Sequence, residues 1–150
     1  MKKTLFCILI LSCTVTLPSC AWQEEEQIEP SEMATKGTHE NNIIYLHEYQ
    51  TRFGSSQEAF RSLVNRGNVV VDFYADWCPP CKKLGGTIEQ IASNFSDITF
   101  LKVNVDHCKE VSTGIRSIPV LAFYKNGQEV KRVTGAQTKN ELIKLLQTIY

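Results

Sequence analysis

The sequence predicts an α/β fold in which a central mixed β-sheet is flanked by helices on both faces. Residues 69–74 form a nearly continuous apolar, β-branched run, which is the pattern of a strand buried on both faces of a sheet. Helical patterns precede and follow this run, as they do in strand–helix–strand units with right-handed crossovers. Near the C terminus, Asn126 and Gly127 give the strongest short signal for an antiparallel hairpin. Parallel strands and a C-terminal antiparallel hairpin are therefore expected to share one sheet.

The first half of the domain is expected to contain two strands and two helices. A short apolar run at 43–46 predicts the first strand, and a capping box at 55–58 opens the first helix, which Gly67 ends. The second helix begins at Pro79, just after the 69–74 strand, and its apolar residues repeat with helical spacing. The expected apolar faces comprise Ala59, Phe60, Leu63 and Val64 in the first helix, and Leu84, Ile88, Ile91, Ala92 and Phe95 in the second.

The second half is expected to add three strands and two helices. Residues 98–105 predict a third strand, 107–113 a short helix and 120–124 a fourth strand, which the hairpin joins to a fifth strand at 129–133. The predicted order is βαβαβαββα. A capping box and an apolar face define the final helix, at Thr138, Glu141, Leu142, Leu145, Leu146 and Ile149.

The N-terminal residues predict an address and a tether outside the folded domain, which is placed at 43–150. Residues 1–19 have the basic start and short apolar stretch of a secretory signal, and this stretch is shorter than the roughly 20 apolar residues that span a bilayer. Their last residues, together with Cys20, resemble the lipobox of bacterial lipoproteins, which implies that the signal is removed and that Cys20 carries lipid. Residues 20–42 are polar and acidic without a helical or strand period, which predicts a flexible tether.

These signals predict an extracytoplasmic protein that is held in the periplasm by the lipid on Cys20. The acidic residues that follow Cys20 resemble the export signal that takes some Gram-negative lipoproteins to the outer surface. The membrane leaflet that holds the lipid is therefore left undecided. No basic membrane-binding patch accompanies them. The lipid anchor is therefore the expected contact with the membrane.

Charge and cysteine positions narrow the possible functions. The 16 lysines and arginines balance the 16 acidic residues, so no basic surplus is available to hold the phosphate backbone of a nucleic acid. Of the six cysteines, Cys7 and Cys13 leave with the predicted signal and Cys20 carries lipid. Three thiols remain for redox chemistry: Cys78, Cys81 and Cys108.

Two of these thiols, Cys78 and Cys81, stand where the buried strand ends and the second helix begins. The N–H groups and the dipole at a helix N terminus stabilise an anion, and a thiolate is such an anion. This placement and the two-residue spacing can lower a thiol pKa from about 8.5 to between about 3.5 and 7.5. Pro79 fits the first helical turn, where its missing N–H would be unpaired anyway. The pattern predicts a reactive dithiol that needs no cofactor.

Two other interpretations of the cysteines stay open. A permanent disulfide between Cys78 and Cys81 would close only a tiny loop, so it would gain little entropy from the unfolded state. A metal site could combine these two thiols with His107 and Cys108. Because His107 and Cys108 are adjacent, they can hardly both point at one ion, and no metal is expected.

Several motifs, in the right order, resemble the thioredoxin family. They lie at 71–78, Cys81, 117–119, 125–127 and 135–136. The resemblance covers about residues 41–150. It implies a thioredoxin fold and reversible dithiol–disulfide exchange with disulfide-containing proteins. A monomer is expected.

The resemblance also implies roles for four residues. Cys78, expected to be the more exposed thiol, attacks a substrate disulfide, and Cys81 resolves the mixed disulfide. Asp72 matches the family's buried acid, which assists proton transfer at Cys81, and Lys102 resembles the lysine near that acid. From the residues alone, Asp72 is either buried with a raised pKa or turned to solvent at the strand end, and a strand lysine is equally compatible with a solvated face.

Pro119 corresponds to the family's cis-proline loop, which faces the dithiol. The resemblance implies that the backbone of Ile118 pairs with an extended substrate, a mode of recognition that suits many sequences. The other residues expected to contact substrate are Trp77, Pro79, Pro80, Gly135 and Ala136.

The chain departs from the family pattern in three places. Pro79 replaces the usual glycine, and the resulting Cys-Pro-Pro-Cys motif is similar to that of tryparedoxins and nucleoredoxins, so the reduction potential cannot be carried over. Gly86, next to Gly85, stands where thioredoxins carry a kinking proline, and Tyr74 stands where many have tryptophan. Cys108 is placed like an additional, oxidisable cysteine of mammalian thioredoxins, and it is either a regulatory thiol or a packed small hydrophobe.

Together these inferences predict an extracytoplasmic thiol–disulfide oxidoreductase that acts as a protein-disulfide reductase. A reductant outside the cytosol needs electrons from a membrane dithiol carrier. Two alternatives remain: a periplasmic disulfide oxidase or isomerase, and a redox-inactive module that only binds peptides.

Overall fold

A computed structural model of the chain describes residues 42–150, and the predicted signal and nearly all of the predicted tether lie outside these residues. In chain order the elements are β1 (Ile43–Tyr45), α1 (Leu46–Phe53), α2 (Ser56–Val64), β2 (Asn68–Tyr74), α3 (Pro79–Ala92), β3 (Ile98–Asn104), β4 (Val120–Lys125), β5 (Gln128–Thr134) and α4 (Lys139–Ile149). No helix among the described residues combines the length and hydrophobicity needed to cross a bilayer.

The five strands form one mixed sheet in the order β1-β3-β2-β4-β5, which confirms the predicted architecture. Strand β3 runs parallel to both β1 and β2, whereas β4 runs antiparallel to β2 and to β5. The β4–β5 turn contains the predicted pair, Asn126 and Gly127, with φ angles of 48° and 83°. A two-residue hairpin turn with positive φ at both positions matches the twist of the flanking strands, which is why this pair is favoured there.

The two faces of the sheet are covered by different helices, because successive side chains of a strand point to opposite faces. On one face Val70 of β2 packs with Leu84 and Ile88 of α3 and with Leu142 and Leu146 of α4. On the other face Val69, Val71 and Phe73 of β2 pack with Leu46 of α1 and with Ala59 and Leu63 of α2. By the same alternation, Asp72 and Tyr74 belong to the face that α3 covers.

Two predicted elements differ from the structure. Leu46 does not end the first strand but begins α1, in which Leu46 is buried and Tyr49 and Phe53 are partly buried against the same core cluster. This apolar face is only eight residues long and was not recognised as a helix from the sequence. The short helix predicted at 107–113 is a series of turns. There the N–H of Cys108 bonds to the carbonyl of Asn104 and that of Ser112 to the carbonyl of Cys108, without the unbroken ladder of a helix. The observed order is therefore βααβαβββα.

Helices α2 and α4 begin at the predicted caps. Ser55 Oγ accepts a hydrogen bond from the N–H of Glu58 at 3.2 Å, which satisfies one of the free donors at the start of α2. In α4 the capping box is complete: Thr138 Oγ1 accepts from the N–H of Glu141 at 3.4 Å, and the Glu141 carboxylate accepts from the N–H of Thr138 at 2.8 Å. The last helix is thus anchored where the chain leaves β5.

Removing the cap of α4 should destabilise the fold. We expect Thr138→Ala to lower the free energy of unfolding by about 1 kcal/mol, because it leaves a helix N–H without an acceptor. The control is Thr148→Ala in the same helix, where the hydroxyl only donates to the carbonyl of Lys144, and its effect should stay within about 0.5 kcal/mol. Urea unfolding measures both values, and equal losses in the two variants would contradict the capping role.

Candidate active site

The cysteine pair lies at the start of α3, four residues after β2 ends. Cys78 is the N-cap of this helix and forms a disulfide with Cys81, with the two Cα atoms 5.3 Å apart. The backbone N–H of Cys81 donates to Cys78 Sγ at 3.3 Å. The two prolines between the cysteines occupy the first turn, where no carbonyl would have accepted their missing N–H groups. The sulfur of Cys78 therefore sits where helix donors stabilise a thiolate.

Cys78 was expected to be more exposed than Cys81, but the two cysteines hardly differ in exposure. Cys78 is 3% exposed and Cys81 is 2% exposed, so both are buried in the disulfide form. They form a small cluster with Ala75, against which Val105 and Ile118 pack. What separates the cysteines is their place on the helix, since Cys78 at the cap receives the N–H of Cys81.

An apolar groove of about 480 Å³ opens beside the disulfide. Four of the predicted substrate-contacting residues line it: Trp77, Pro79, Pro80 and Ile118. Trp77 is 68% exposed, and its Nε1–H donates to Asp106 Oδ2 at 2.9 Å, which fixes a large apolar ring at the groove mouth. An exposed aromatic ring held in place in this way is suited to contact a bound chain.

The rest of the groove wall was not predicted from the sequence and consists of Val105, Ile115, Arg116 and Ser117. Arg116 and Ser117 directly precede Ile118, so their position in the chain was a usable signal. Val105 follows β3, and only the parallel pairing of β2 with β3 brings it to the dithiol.

The Ile118–Pro119 peptide bond is cis, as the family resemblance implied. Pro119 is buried, and its carbonyl accepts the N–H of Gly135 at 2.8 Å, which ties the end of β5 to this loop. Gly135 and its exposed neighbour Ala136 lie outside the lining of the groove. Their contact with substrate stays a prediction.

Asp72 and Lys102 form a buried ion pair behind the dithiol. They are direct register partners on β2 and β3, and Lys102 Nζ lies 2.8 Å from Asp72 Oδ2. Their exposures are 1% and 7%, so the alternatives of a solvent-facing aspartate and a solvated lysine are wrong. Asp72 Oδ1 is buried without a hydrogen-bond partner among the described residues. Burial therefore raises the pKa of Asp72, although Lys102 opposes the shift through its charge and its hydrogen bond.

A second cavity of about 330 Å³ lies between Lys102 and Cys81, and neither Asp72 nor Cys78 lines it. Lys102 and Cys81 both line it, so the ammonium and the second sulfur share one space. The remaining lining residues are Tyr45, Tyr74, Ala75, Asp76, Lys82, Gly85, Gly86 and Glu89.

Cys108 lies apart from the dithiol. It is fully buried in the core cluster on the α1–α2 side of the sheet, and Gln50 Nε2 donates to its sulfur at 3.2 Å. Burial raises the pKa of this thiol, more than the hydrogen bond from Gln50 lowers it. These features match a packed small hydrophobe, and a regulatory role stays a prediction. Within residues 42–150, no group of three or more histidine, cysteine or acidic side chains is placed to hold a metal ion.

The buried aspartate should make stability depend on pH. Because the pKa of Asp72 is raised in the folded state, the folded chain keeps a proton that the unfolded chain loses above about pH 4. The contribution of Asp72 to stability therefore falls as pH rises from that value to the folded pKa. The Asp72→Asn variant does not undergo this loss of stability. The difference obtained by subtracting the unfolding free energy of the wild type from that of the variant should therefore increase with pH.

Urea unfolding between about pH 4 and pH 8 measures this difference, which should grow by about 1.4 kcal/mol for each unit by which the folded pKa exceeds the unfolded one. Lys102 loses its partner in the variant at every pH, so the slope and not the absolute value is diagnostic. The matched control is Asp97→Asn, at an exposed aspartate that pays no burial penalty. A flat or falling difference for Asp72→Asn would refute the burial penalty.

Comparison with known proteins identifies the family. The family model described as Thioredoxin matches residues 53–148. The chain is 48% identical over 81 residues to a thioredoxin of Mycoplasmoides gallisepticum, covering 53% of this chain and 81% of that protein. It is 40% identical over 93 residues to a thioredoxin of Chlamydia trachomatis, covering 61% of this chain and 91% of the relative.

Solved structures show the same similarity. A thioredoxin of Plasmodium falciparum superposes with a TM-score of 0.58 at 34% identity, over 63% of this chain and 94% of the other. A thioredoxin variant from Halobacterium salinarum superposes with a TM-score of 0.61 at 28% identity, over 75% and 95% of the two chains. With the cysteine pair capping α3 and the cis-proline loop beside it, this protein belongs to the thioredoxin family and is a thiol–disulfide oxidoreductase of that type.

Proposed function

We propose that the protein is an extracytoplasmic protein-disulfide reductase, attached to a membrane by lipid on Cys20. The observation that carries the proposal is the Cys78–Cys81 pair at the start of α3, open to an apolar groove on one side and next to a buried ion pair on the other. This arrangement supplies a stabilised thiolate, a surface for a protein substrate and a group that accepts a proton.

The reaction proceeds in two thiol–disulfide exchanges. The Cys78 thiolate attacks one sulfur of a substrate disulfide, which forms a Cys78–substrate disulfide and releases the other substrate sulfur as a thiolate. Cys81 then loses its proton and attacks Cys78 Sγ, so the second substrate sulfur leaves and the Cys78–Cys81 disulfide forms. Two electrons pass from the protein to the substrate, and the released thiolates take up protons.

We propose that the Asp72 carboxylate accepts the proton that leaves Cys81 in the second exchange. The cavity that Cys81 and Lys102 share supports this role, because Lys102 holds the carboxylate at 2.8 Å. A base with a raised pKa is better matched to a thiol near neutral pH than an ordinary aspartate is. Lys102 keeps the carboxylate charged enough to accept the proton, because its own charge opposes the effect of burial.

Substrate recognition follows from the groove. An extended segment of the substrate would pair with the backbone at Ile118 and rest on Trp77, Pro79 and Pro80. Gly135 and Ala136 would extend this surface beyond Pro119. Since main-chain pairing does not depend on side chains, such a surface accepts many disulfide-containing proteins.

The reducing direction needs an electron source on the same side of the membrane. A membrane dithiol carrier would return the Cys78–Cys81 disulfide to the dithiol by the same exchange chemistry. The relatives that the chain resembles are thioredoxins, and thioredoxin is a reductant of low potential. The secretory signal predicted at residues 1–19 is the observation that keeps a periplasmic disulfide oxidase or isomerase as the second candidate.

The reduction potential distinguishes the two candidates. After equilibration of the chain in dithiothreitol or glutathione buffers, a value near about −270 mV, the figure for thioredoxin, would identify a reductant, whereas a value near about −120 mV would identify a disulfide-forming oxidant. The fluorescence of Trp77, next to Cys78, reports the transition, and Trp22→Phe removes the other of the two tryptophans. Cys78→Ser should abolish the transition and Cys108→Ser should leave it in place.

The predicted lipid anchor has its own test. When the chain is expressed in a Gram-negative bacterium, we expect radioactive palmitate to label the wild-type protein and the membrane fraction to contain it. Cys20→Ser should lose both the label and the membrane attachment. Cys13→Ser is the control, because Cys13 is expected to leave with the signal. An unlabelled wild-type protein in the cytosol would refute the anchor, and protease treatment of intact cells would show whether it faces outward.

A further inference from the structure

Two adjacent glycines, Gly85 and Gly86, lie in the interior of α3, the helix that begins with the cysteine pair. Glycine is the least favourable residue in a helix interior after proline, because it loses the most backbone freedom on folding. Neither glycine has a positive φ angle, so backbone conformation does not require either of them. The reason for a missing side chain must be sought in the surrounding space.

The surroundings of the two glycines differ sharply. A Cβ atom on Gly85 would lie 3.1 Å from Lys102 Nζ, closer than ordinary van der Waals contact, whereas a Cβ atom on Gly86 would meet nothing within 4 Å. Gly85 is buried and Gly86 is half-buried. A methyl group at Gly85 would therefore require Lys102 Nζ to shift by a few tenths of an ångström, whereas one at Gly86 would require no shift.

Two other groups contact the ammonium of Lys102, which also borders the 330 Å³ cavity. Asp72 Oδ2 lies 2.8 Å from Nζ, and the centre of the Tyr74 ring lies 4.7 Å from it. A methyl group at Gly85 would thus displace Nζ. The displacement would change the distance of Nζ from the Asp72 carboxylate or from the Tyr74 ring. The bare backbone of Gly85 leaves Nζ in place between these two groups.

We propose that Gly85 is a positioning residue: its missing side chain lets the Lys102 ammonium rest on Asp72, and it thereby sets how readily Cys81 gives up its proton. The inference rests on the proposed role of Asp72 as the base in the second exchange. Gly85 touches neither substrate nor sulfur chemistry and acts only through Lys102. The charged and titratable groups around the Lys102 ammonium and its cavity are Asp72, Lys102, Cys81, Tyr45, Tyr74, Asp76, Lys82 and Glu89.

The paired substitutions Gly85→Ala and Gly86→Ala test the proposal in the full chain. Both replace an interior glycine of one helix by alanine, so both gain the same helix propensity and neither is expected to prevent folding. They differ in the contact with Lys102. In Gly85→Ala the ammonium is displaced, which weakens its hold on the Asp72 carboxylate and moves the protonation midpoint of that carboxylate upward.

The first readout is the second exchange with insulin as the disulfide probe, followed by stopped flow between about pH 5 and pH 9. Gly85→Ala should slow this step about three- to tenfold at neutral pH and shift its pH midpoint upward by about half a unit or more. Gly86→Ala, at a glycine that lines the cavity but would not contact Lys102, should change this step less than Gly85→Ala does. In a Lys102→Gln background, Gly85→Ala should have no further effect, because the group through which it acts is gone.

The second readout needs no activity. NMR of the Asp72 carboxyl carbon should show its titration midpoint move upward in Gly85→Ala and stay in place in Gly86→Ala. Equal midpoints and equal exchange profiles in the two variants would overturn the positioning role. The Asp72 titration midpoint could move in Gly85→Ala while the Asp72→Asn variant exchanges disulfides as fast as the wild type. That result would support the positioning of Lys102 but refute Asp72 as the base.

Discussion

The central strand β2 is hydrogen-bonded along its length on both sides, to β3 and to β4, and helices cover both of its faces. Each feature of the site depends on this burial. The end of β2 delivers the cysteine pair to the first turn of α3, and its parallel register with β3 sets Asp72 opposite Lys102. Its antiparallel partner β4 begins one residue after the cis-proline. A rigid strand at the centre of the sheet thus holds together groups that come from distant parts of the chain.

The same burial explains the electrostatics of the site. A carboxylate at position 72 interrupts an otherwise apolar strand, and desolvation disfavours its charged form even though Lys102 lies beside it. An apolar residue would fill this place without the penalty. A buried charge pair is weak evidence for stability, and its position behind a reactive disulfide fits a group retained for proton transfer.

Local signals explain what could be predicted from the sequence. The buried strand, the Asn126–Gly127 turn and the Thr138 cap each depend on neighbouring residues, and the structure contains all three. Helix α1 was missed because its apolar face is short, and the segment 107–113, expected to be a helix, forms turns. At the site, the cysteine pair was visible in its spacing. The burial of Lys102 and the contribution of Val105 depend on strand register, which spacing along one chain does not reveal.

The position of Cys108 has a consequence for the number of oxidised forms. Within residues 42–150 there are three sulfurs from cysteine, and two of them are already joined at the start of α3. The third is sealed in the core on the α1–α2 side of the sheet, in a different cluster from the pair. No internal competitor can therefore intercept the mixed disulfide or scramble the pairing while the domain stays folded. Among the described residues, exchange therefore alternates the Cys78–Cys81 pair between disulfide and dithiol, and every turnover returns it to the same pairing.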